Sequence, residues 1–592
     1  MPLPGTRLPV IDASTGARVE ARGSPVSRLL LVCMPFQHLR LSSLSVGLLA
    51  TVLRQHGVEC REAYLHFDFA RLIGRHAYTV ISDSGAKNTI LGEVLFAEQY
   101  RGGLDEDTDR ALKPLFGDRD ARSSLMTAFA DGCLDKIGDA GCDIVGFSTS
   151  FNQLFPSLWL ARLIKSRRPD TRIVFGGSAC SSPMGERITE YYPEVDLVVS
   201  GFGEQPLVDL ALGTIGFEPR FVHNEVPVNL DTLPIPDYEP FLREWRAFDD
   251  TSNGGITLSF ETSRGCWWGQ KHHCKFCGLN QREMAFNAKS SERMVEEVRT
   301  LWDRHRCGLF ATDTILSRKH LKEALPRLAE YGDKPEIFYE VKANMARREV
   351  EVLRAANVTA IQPGIESLST PLLKLIDKGV KSIQNLALLK WCREEGITPS
   401  WNILYGIPGE RKEFYFEQIE LFDRIPHFAP PEGAHLIQLD RFSPYFNSYR
   451  EHGWRGLEPL SAYRLLHRGM TDDALRDVAY HFDGVGAPFT VQDYEADLKA
   501  AVDRWKTRHA AGDGIYRDPR AGVLLVADGG ISAIEGDERI DAVIACTREI
   551  VDVERLLTET GADADLIEEL LDLGVLWREG NQLINLVVET PG

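Results

Sequence analysis

Short apolar runs alternate with segments of helical periodicity between residues 28 and 213. Runs of this length that are rich in Val, Ile, Leu and Phe predict buried strands, and strands alternating with helices predict a parallel sheet covered by helices. The predicted strands are Leu29–Met34, Glu59–Leu65, Asp143–Phe147, Arg172–Phe175 and Asp196–Val199, and the predicted helices are Leu44–His56, Leu154–Lys165, Gly185–Tyr191 and Gln205–Leu212. We therefore predict an α/β, doubly wound (Rossmann-like) domain over residues 1–215. Residues 66–122 do not continue the alternation, and their role cannot be read from the sequence.

A second α/β region follows a segment in which prolines accumulate. Residues 216–253 are predicted to be an extended linker, because proline prevents helix continuation. Over residues 254–446, strands predicted at Ile256–Thr262, Gly308–Thr312, Glu336–Val341, Ala360–Ile365, Pro399–Leu404 and Ala434–Leu439 alternate with helices predicted at Ser291–His305, Arg318–Tyr331, Arg347–Asn357, Thr370–Asp377, Ile383–Glu395 and Lys412–Asp423. Six such units predict a partial (β/α)6 barrel of the TIM type, in which chemistry collects at the carboxyl ends of the strands.

Residues 447–592 are predicted to form a mostly helical α+β module that ends in a strand pair within WREGNQLINLVVE. An exposed strand edge beside helices is a common way to capture an extended peptide, so this module is a candidate peptide-recognition region. Its acidic helices favour a basic peptide, although acidic helix faces are also typical of plain solvated surfaces.

Overall charge narrows the class of partner. The chain of 592 residues has 67 Lys and Arg against 86 Asp and Glu, a net charge of −19. An acidic chain repels nucleic-acid phosphates and anionic membranes, so neither is an expected partner. No apolar run approaches the ~18 residues of a membrane span, and the N-terminus lacks the features of a signal peptide. We therefore expect a cytoplasmic protein.

Three of the eleven cysteines form the one cluster in the sequence. The segment SRGCWWGQKHHCKFCGLN, directly after the first predicted barrel strand, places Cys266, Cys274 and Cys277 in a C-x7-C-x2-C array. Thiolates select zinc or iron–sulfur clusters. Either His272 or His273 completes a Cys3His zinc site, or the three thiolates hold a 4Fe-4S cluster with one open iron. The spacing alone leaves both alternatives open.

Small residues follow the strands of the first domain, where an open parallel sheet binds its ligand. Ser148-Thr149-Ser150 follows the third strand, Gly176-Gly177-Ser178 the fourth, and Gly201-Phe202-Gly203 the fifth. Glycines let the backbone approach a bulky planar group, and the hydroxyls offer hydrogen bonds. Neither G-x-G-x-x-G after the first strand nor a P-loop is present, which disfavours a dinucleotide site.

These motifs together resemble a known family. The loop CWWGQKHHCKFCGLN, the later PGIES and YGIPGE, and the run RFSPYF at Arg441–Phe446 are similar to the radical S-adenosylmethionine (SAM) enzymes called RiPP maturation radical SAM protein 1, which modify ribosomally made peptides. The resemblance extends over most of residues 28–446. It implies that Cys266, Cys274 and Cys277 hold a 4Fe-4S cluster whose open iron binds SAM, and that an external electron donor of the flavodoxin or ferredoxin type reduces it.

The resemblance also implies residues for SAM. The backbone at Phe276 and Gly278 is expected to meet the adenine. Asp313, Lys342 and Glu366, each at the end of a predicted barrel strand, are candidates for the amino group, carboxylate and ribose. The superfamily's Gly-Gly-Glu element is replaced here by ATDT at Ala311–Thr314, which puts the amino-group contact in doubt.

The first domain resembles the cobalamin-binding domain that precedes the barrel in many radical SAM enzymes. This resemblance assigns Ser45, Ser148, Gly176, Gly177 and Gly203 to the cofactor. The Asp-x-His-x-x-Gly motif is missing from the first domain, residues 1–215, and His38 and His66 lack its context, so cobalamin is expected to bind without a histidine ligand. A domain that has lost its cofactor and only covers the barrel is the alternative.

The resulting hypothesis is a cobalamin-dependent radical SAM enzyme that C-methylates a ribosomal precursor peptide. Two alternatives stay open: radical cyclisation, epimerisation or rearrangement of the peptide without methyl transfer, and a zinc-stabilised binding protein without catalysis. Methyl transfer requires the first domain to face the barrel, and the side chains expected at that junction are Phe151, Asn152, Tyr405 and Gln438.

Overall fold

A computed structural model describes residues 27–82, 86–101, 106–150, 152–249, 255–281, 283–518, 523–527, 531–535 and 538–589. Its first sheet contains β1 (Leu29–Cys33), β2 (Cys60–Tyr64), β3 (Ile144–Ser148), β4 (Arg172–Gly176), β5 (Leu197–Gly201) and β6 (Phe221–Asn224). All pairs are parallel, in the order β2-β1-β3-β4-β5-β6. The order of connections reverses between β1 and β3. This is the predicted doubly wound arrangement, and the five predicted strands agree with β1–β5 to within two residues at either end.

The sixth strand corrects the predicted linker. β6 pairs with β5 from Val198↔Phe221 to Gly201↔Asn224, inside the segment expected to be extended. The linker also contains the helix Glu239–Phe248, which begins with Pro240 in its first turn. Proline is favourable at that position because the first turn lacks partners for its N–H groups. The prolines of this segment therefore do not prevent it from forming a strand and a helix.

Helices cover both faces of the first sheet. Helices close to those predicted lie at Leu44–Gln55, Leu154–Arg167, Met184–Tyr191 and Glu204–Ala211. The described residues within 66–122 are mostly helical, in Leu65–Ile73, Arg75–Ser82, Ala86–Arg101, Glu106–Phe116 and the start of Arg119–Ala140. Phe69, Phe96, Phe129 and Trp159 pack in edge and stacked contacts between these helices. The inserted helices thus share one core with the sheet.

The second parallel sheet is smaller than predicted. The next strands are β7 (Thr257–Phe260), β8 (Ser263–Arg264), β9 (Asn287–Ala288), β10 (Gly308–Ala311), β11 (Ile337–Glu340), β12 (Val358–Gln362), β13 (Thr398–Pro399), β14 (Ile403–Tyr405) and β15 (Ala434–Leu436). Five of them form the sheet β13-β12-β11-β10-β7, and β8 pairs with β9 in a hairpin that encloses the cysteine loop. Helices lie at Ser291–His305, Leu325–Ala329, Arg347–Ala355, Thr370–Leu375, Ser382–Glu395 and Glu413–Arg424, with a π-helix at His320–Ala324.

The fifth predicted barrel strand is divided. Thr398–Pro399 continues the five-stranded sheet, whereas Ile403–Tyr405 pairs with β15 in a separate parallel pair. A single bridge between Glu366 and Ile403 joins the two parts. The barrel is therefore open and interrupted, with Glu366 at the interruption.

The C-terminal region contains more sheet than its sequence predicted. Its strands are β16 (Leu439–Asp440), β17 (Gly456–Pro459), β18 (His481–Val485), β19 (Gly514–Asp518), β20 (Val523–Ala527), β21 (Ile531–Glu535), β22 (Val551–Asp552), β23 (Leu576–Glu579), β24 (Gln582–Asn585) and β25 (Val588–Glu589). They form the sheets β16-β18-β17, β21-β20-β19-β25 and β22-β24-β23. The predicted final strand pair is the antiparallel β23–β24 hairpin.

Helices complete this region at Pro444–Asn447, Ser461–Leu466, Asp472–Val478, Glu495–Ala511, Glu538–Cys546, Val553–Thr560 and Ala564–Asp572. In the described ranges, no helix combines the length and the apolarity needed to cross a membrane.

Candidate active site

A cavity of about 520 Å³ opens at the carboxyl ends of the first sheet. All five residues assigned to cobalamin by resemblance line it: Ser45, Ser148, Gly176, Gly177 and Gly203. Ser259, Glu261, Arg264 and Thr312, at or just beyond the ends of β7 and β10, complete the wall. The two parallel sheets therefore share this cavity, which is within the size range of cofactor pockets.

Two glycines of the wall have different reasons to be glycine. Gly177 has φ +104°, and a Cβ there would lie 2.5 Å from the carbonyl oxygen of Thr149, so its own fold requires it. Gly203 has an ordinary φ, and its Cβ would meet nothing nearer than Leu49 at 4.0 Å. A Cβ at Gly203 would therefore fit without displacing a protein atom. The position is therefore suited to close approach of a ligand.

The cavity fits a bulky ligand that carries polar groups at its edge. Ser45 and Ser148 form a hydroxyl pair with their Oγ atoms 2.6 Å apart, and Gly203 leaves open space beside it. No histidine occurs in the lining among the residues that the structure describes. The absence of a histidine ligand to cobalt stays a prediction.

The side chains expected at the junction do not form it. Asn152 donates to the carbonyl of Phe36, Tyr405 donates to Glu495, and Gln438 donates to the carbonyl of Phe482. Tyr405 and Gln438 therefore contact the C-terminal region, and none of the three lines a cavity described here. Phe151 lies outside the described residues. The partners of these side chains are distant in the sequence: a loop residue for Asn152, a helix for Tyr405 and a strand for Gln438.

Asp313 fixes the start of the cysteine loop. Its buried carboxylate accepts hydrogen bonds from the backbone N–H and hydroxyl of Thr262 and, at 2.7 Å, from the hydroxyl of Ser263. Burial raises the pKa of Asp313 to about 6 against the opposing effect of these donors. Both carboxylate oxygens are thus bonded inside the protein, which gives Asp313 a positioning role. Its contact with the SAM amino group stays a prediction.

The loop that carries the three cysteines is held from several sides. Cys266 accepts a hydrogen bond at its Sγ from the N–H of Gly269 at 3.2 Å. His273 contacts the carbonyl of Cys277 through Nε2 at 2.8 Å, and His272 stacks on Trp268 with ring centroids 4.1 Å apart. Both histidines considered as a fourth zinc ligand thus support the loop through other contacts.

All three thiols are free and partly exposed. Burial raises the pKa of Cys274 and raises that of Cys277 to about 12, while the nearby Lys378 acts in the opposite direction on both. Throughout the described part of the chain, no group of three or more His, Cys, Asp and Glu side chains is arranged around a single metal ion. Three soft donors on one stabilised loop fit a 4Fe-4S cluster, which is larger than a single ion.

Lys342 and Glu366 converge beside this loop through a residue that was not predicted. Lys378 pairs with Glu366 at 2.9 Å, and its carbonyl accepts from Lys342 at 2.5 Å. The Lys342 ammonium also lies 3.7 Å from the ring centroid of Trp268. Burial, followed by the charge of Lys378, lowers the pKa of Lys342 to about 8. Lys378 follows a helix, so its position in sequence carries no strand-end signal.

Phe276 and Gly278 differ in what surrounds them. The Lys378 ammonium lies 5.5 Å from the ring centroid of Phe276, so Phe276 belongs to the same polar cluster. A Cβ at Gly278 would lie 2.3 Å from the carbonyl oxygen of Arg441. The space on the Cβ side of Gly278 is therefore occupied by the protein's own RFSPYF segment. The contact of the Gly278 backbone with the adenine stays a prediction.

A charged triad between the two sheets was missed at the sequence level. Arg264 donates to Glu204 at 2.6 Å and to Glu261 at 2.8 Å. Burial acts to lower the pKa of Arg264, but the two carboxylates outweigh it and raise the pKa above its ordinary value. Glu204 follows β5 and Arg264 directly precedes Gly265-Cys266, so the sequence placed both residues near strand ends. Nothing in the sequence indicated that these two side chains would pair with each other.

A second cavity of about 310 Å³ joins the first along a shared wall. Gly177, Phe202, Glu261, Arg264 and Thr312 line both. Its remaining lining includes Gly265, Asn280 and Gln281 of the cysteine loop, and Gln281 donates to the carbonyl of Ser178 at 2.9 Å. The cysteine loop is thereby docked on the first sheet's ligand edge.

Comparison with known proteins bears on this arrangement. The model of the radical SAM superfamily matches residues 260–415, which include the cysteine loop, Asp313, Lys342 and Glu366. Residues 260–415 form a radical SAM domain. This result supports the family-level part of the resemblance, whereas the narrower assignment to RiPP maturation enzymes is not tested by it.

Two curated relatives are similar over part of their length. An uncharacterized methyltransferase of Pyrococcus horikoshii is 26% identical over 294 residues, 46% of this chain and 62% of the relative. The hopanoid C-3 methylase of Methylococcus capsulatus is 26% identical over 292 residues, 46% of this chain and 55% of the relative. The chain spans less than two thirds of either relative.

Solved structures support the fold. The cobalamin-dependent radical SAM enzyme OxsB, with aqua-cobalamin and SAM bound, is matched with a TM-score of 0.54 at 16% identity, over 81% of this chain and 66% of that one. The radical SAM methyltransferase TsrM of Kitasatospora setae is matched with a TM-score of 0.50 at 18% identity, over 80% and 91%. The predicted architecture of a doubly wound sheet before a radical SAM barrel is confirmed at the level of fold.

Proposed function

We propose that this protein is a cobalamin-dependent radical SAM methyltransferase that C-methylates a ribosomally made precursor peptide. The observation that carries the proposal is the cavity shared by the two sheets, which has all five residues assigned to cobalamin on one side and the start of the cysteine loop on the other. Methyl transfer between two cofactors needs this proximity, because errors of ~1 Å in placement can cost ~100-fold in rate.

Each cofactor has residues that fit it. Cys266, Cys274 and Cys277 would hold the 4Fe-4S cluster, and the walls at Ser45, Ser148 and Gly203 would hold cobalamin. Once bound, the cluster with SAM supplies carbon-radical chemistry and cobalamin supplies a methyl carrier. Asp313 fixes the loop, and Lys342 with Glu366 offers a cation and an anion for the polar groups of SAM. A flavodoxin-type or ferredoxin-type donor would supply electrons.

The division into residues 1–215, 216–253, 254–446 and 447–592 is part of the proposal, with β6 and the helix Glu239–Phe248 belonging to the predicted linker segment. A cytoplasmic location is likewise proposed from the sequence. The strand β21 forms one edge of the sheet β21-β20-β19-β25. An edge strand offers unpaired backbone groups to an extended segment, which supports capture of a peptide leader by this region.

The deciding experiment is anaerobic turnover of the reconstituted protein with methyl-labelled SAM and the precursor peptide encoded beside its gene. We expect labelled peptide, with one S-adenosylhomocysteine and one 5′-deoxyadenosine per methyl group. An unlabelled but altered peptide together with 5′-deoxyadenosine would favour the non-methylating alternative. A colourless protein with one zinc and no SAM cleavage would favour the binding-protein alternative.

A further inference from the structure

The Glu204–Arg264–Glu261 triad has unused hydrogen-bonding capacity. Arg264 donates to Oε1 of each glutamate, at 2.6 Å and 2.8 Å. The second oxygen of each carboxylate is buried and makes no hydrogen bond within the described protein. Glu204 is 7% exposed as a whole. A buried carboxylate oxygen without a donor is costly, so two of them on one Arg264-linked triad point to a donor supplied from outside.

The position of the triad identifies where that donor would come from. All three residues line the 520 Å³ cavity, and Glu261 and Arg264 also line the adjoining 310 Å³ cavity. The guanidinium lies 5.2 Å from the ring centroid of Phe202, which helps to fix it in place. Glu204 begins the helix that follows β5 in the first domain, and the barrel region supplies the other two residues, so the triad lies where the two regions meet at the cavity.

Charge restricts the ligand class. Two carboxylates against one guanidinium leave one negative charge in a shielded site, which disfavours phosphates and carboxylates and favours neutral or cationic groups with N–H or O–H donors. Cobalamin has neutral primary amides around its corrin ring, and each amide offers two N–H donors. The unpaired carboxylate oxygens of Glu204 and Glu261 are acceptors, and the N–H groups of these amides are matching donors.

We propose that Oε2 of Glu204 and Oε2 of Glu261 accept hydrogen bonds from the peripheral primary amides of a corrinoid bound in the shared cavity. This inference rests on the proposed cobalamin-dependent function and assigns a specificity site within it. It requires that the protein distinguish corrinoids by the state of their amides. Hydrolysis of one contacting amide to a carboxylate would place like charges together.

Substitution by glutamine tests the acceptors directly. In Glu261→Gln and Glu204→Gln, Arg264 requires an acceptor and therefore holds the amide oxygen, so the NH2 group is turned to the cavity. An acceptor for the ligand is replaced by a donor with almost no change in size. Glu297→Gln is the matched control, since Glu297 is also a buried, ion-paired glutamate with one unpaired oxygen but lies in the barrel helix away from both cavities.

The measurement is absorbance titration of the full-length protein with hydroxocobalamin and, separately, with its purified monocarboxylate hydrolysis products. We expect the wild type to bind hydroxocobalamin about tenfold more tightly than the monocarboxylate at the contacting position, and each Glu→Gln variant to lose about tenfold in hydroxocobalamin affinity and most of that preference. The control should match the wild type. Thermal unfolding checks that the variants remain folded.

Three results would overturn the inference in distinguishable ways. Unchanged hydroxocobalamin affinity in both variants, with normal binding by the wild type, contradicts the assigned contacts alone. A loss of S-adenosylhomocysteine binding with cobalamin binding intact would assign the oxygens to SAM instead. No binding of hydroxocobalamin by the wild type would contradict the cobalamin-dependent function itself, and this inference with it.

Discussion

The shared cavity and the cysteine loop are built in opposite ways. The cavity is lined by serines and glycines at the strand ends together with large apolar side chains such as Leu49 and Phe175, and a Cβ at Gly203 would meet no protein atom nearer than 4.0 Å. The loop is densely held by side-chain contacts from Asp313, His273 and Trp268, yet its thiols are not arranged around one ion. A large rigid ligand such as a corrinoid needs a cavity that exists before it binds. A cluster forms strong bonds to its thiolates, so it can bring the three cysteines of a constrained loop into their final positions.

The largest expected effect comes from removing the cluster site while leaving the large cavity intact. Replacing Cys266, Cys274 and Cys277 together with Ala removes all three thiolate donors, so the reconstituted protein should lose the iron, the sulfide and all SAM cleavage. Hydroxocobalamin binding should be unchanged, because none of the three lines the large cavity. Metal and sulfide analysis with cobalamin titration measures both.

The control for this variant is Cys307→Ala, which changes a buried cysteine elsewhere in the barrel. Retention of a full cluster in the triple variant would show that other residues hold it. Loss of cobalamin binding as well would show that the two sites are not built independently.

A second prediction tests the prepared space. Because Gly203 lines the cavity and a Cβ there has space, we expect a leucine to extend into the cavity, so Gly203→Leu should weaken hydroxocobalamin binding by roughly tenfold or more while thermal stability stays close to that of the wild type. Gly177→Ala should behave differently. Its positive φ and the contact of 2.5 Å with the Thr149 carbonyl should lower the free energy of unfolding by about 1–3 kcal/mol.

Titration calorimetry and thermal melts on the two glycine variants make the comparison. If Gly203→Leu bound hydroxocobalamin like the wild type, the cavity would not be the corrinoid site. Equal destabilisation by both substitutions would contradict the distinction between a glycine required by the fold and one suited to the ligand.

The smallest predicted effect concerns the buried carboxyl group of Glu93, in the helix Ala86–Arg101. Glu93 accepts from the N–H of Phe155 at 2.8 Å, and burial raises its pKa to about 8. The folded state therefore holds a proton that the unfolded state loses above its ordinary pKa near 4.5. This contribution to stability is largest at low pH and falls as pH rises toward 8.

Glu93→Gln should remove that dependence. Its melting temperature should exceed that of the wild type at pH 8.5 by a few degrees and approach it at pH 5.5, in thermal melts at both pH values. Glu239→Gln, a change on the exposed start of a helix, serves as the control. A parallel pH dependence in the Glu93→Gln variant and the wild type would show that Glu93 is ionised in the folded protein.

Particular residues show how far the sequence could be followed. Ser45, Ser148, Gly176, Gly177 and Gly203 were placed correctly on one cavity, because parallel strands end at a common edge and small residues follow them there. Asp313 was located at the correct strand end, but its hydrogen bonds to Thr262 and Ser263 were not predicted. Strand ends give location, and they do not say which neighbour a side chain will find.

The sequence by itself determined the order of strands, the cysteine array and the small residues of the ligand edge, because these depend on local periodicity and on positions close together in the chain. Only the tertiary structure decided that Glu204 meets Arg264, that Lys378 joins Lys342 and Glu366, and that Gly278 lies against Arg441. Glu204 and Arg264 are 60 residues apart in the sequence. Such pairs form when two sheets pack together, and no local pattern encodes which ends will face each other.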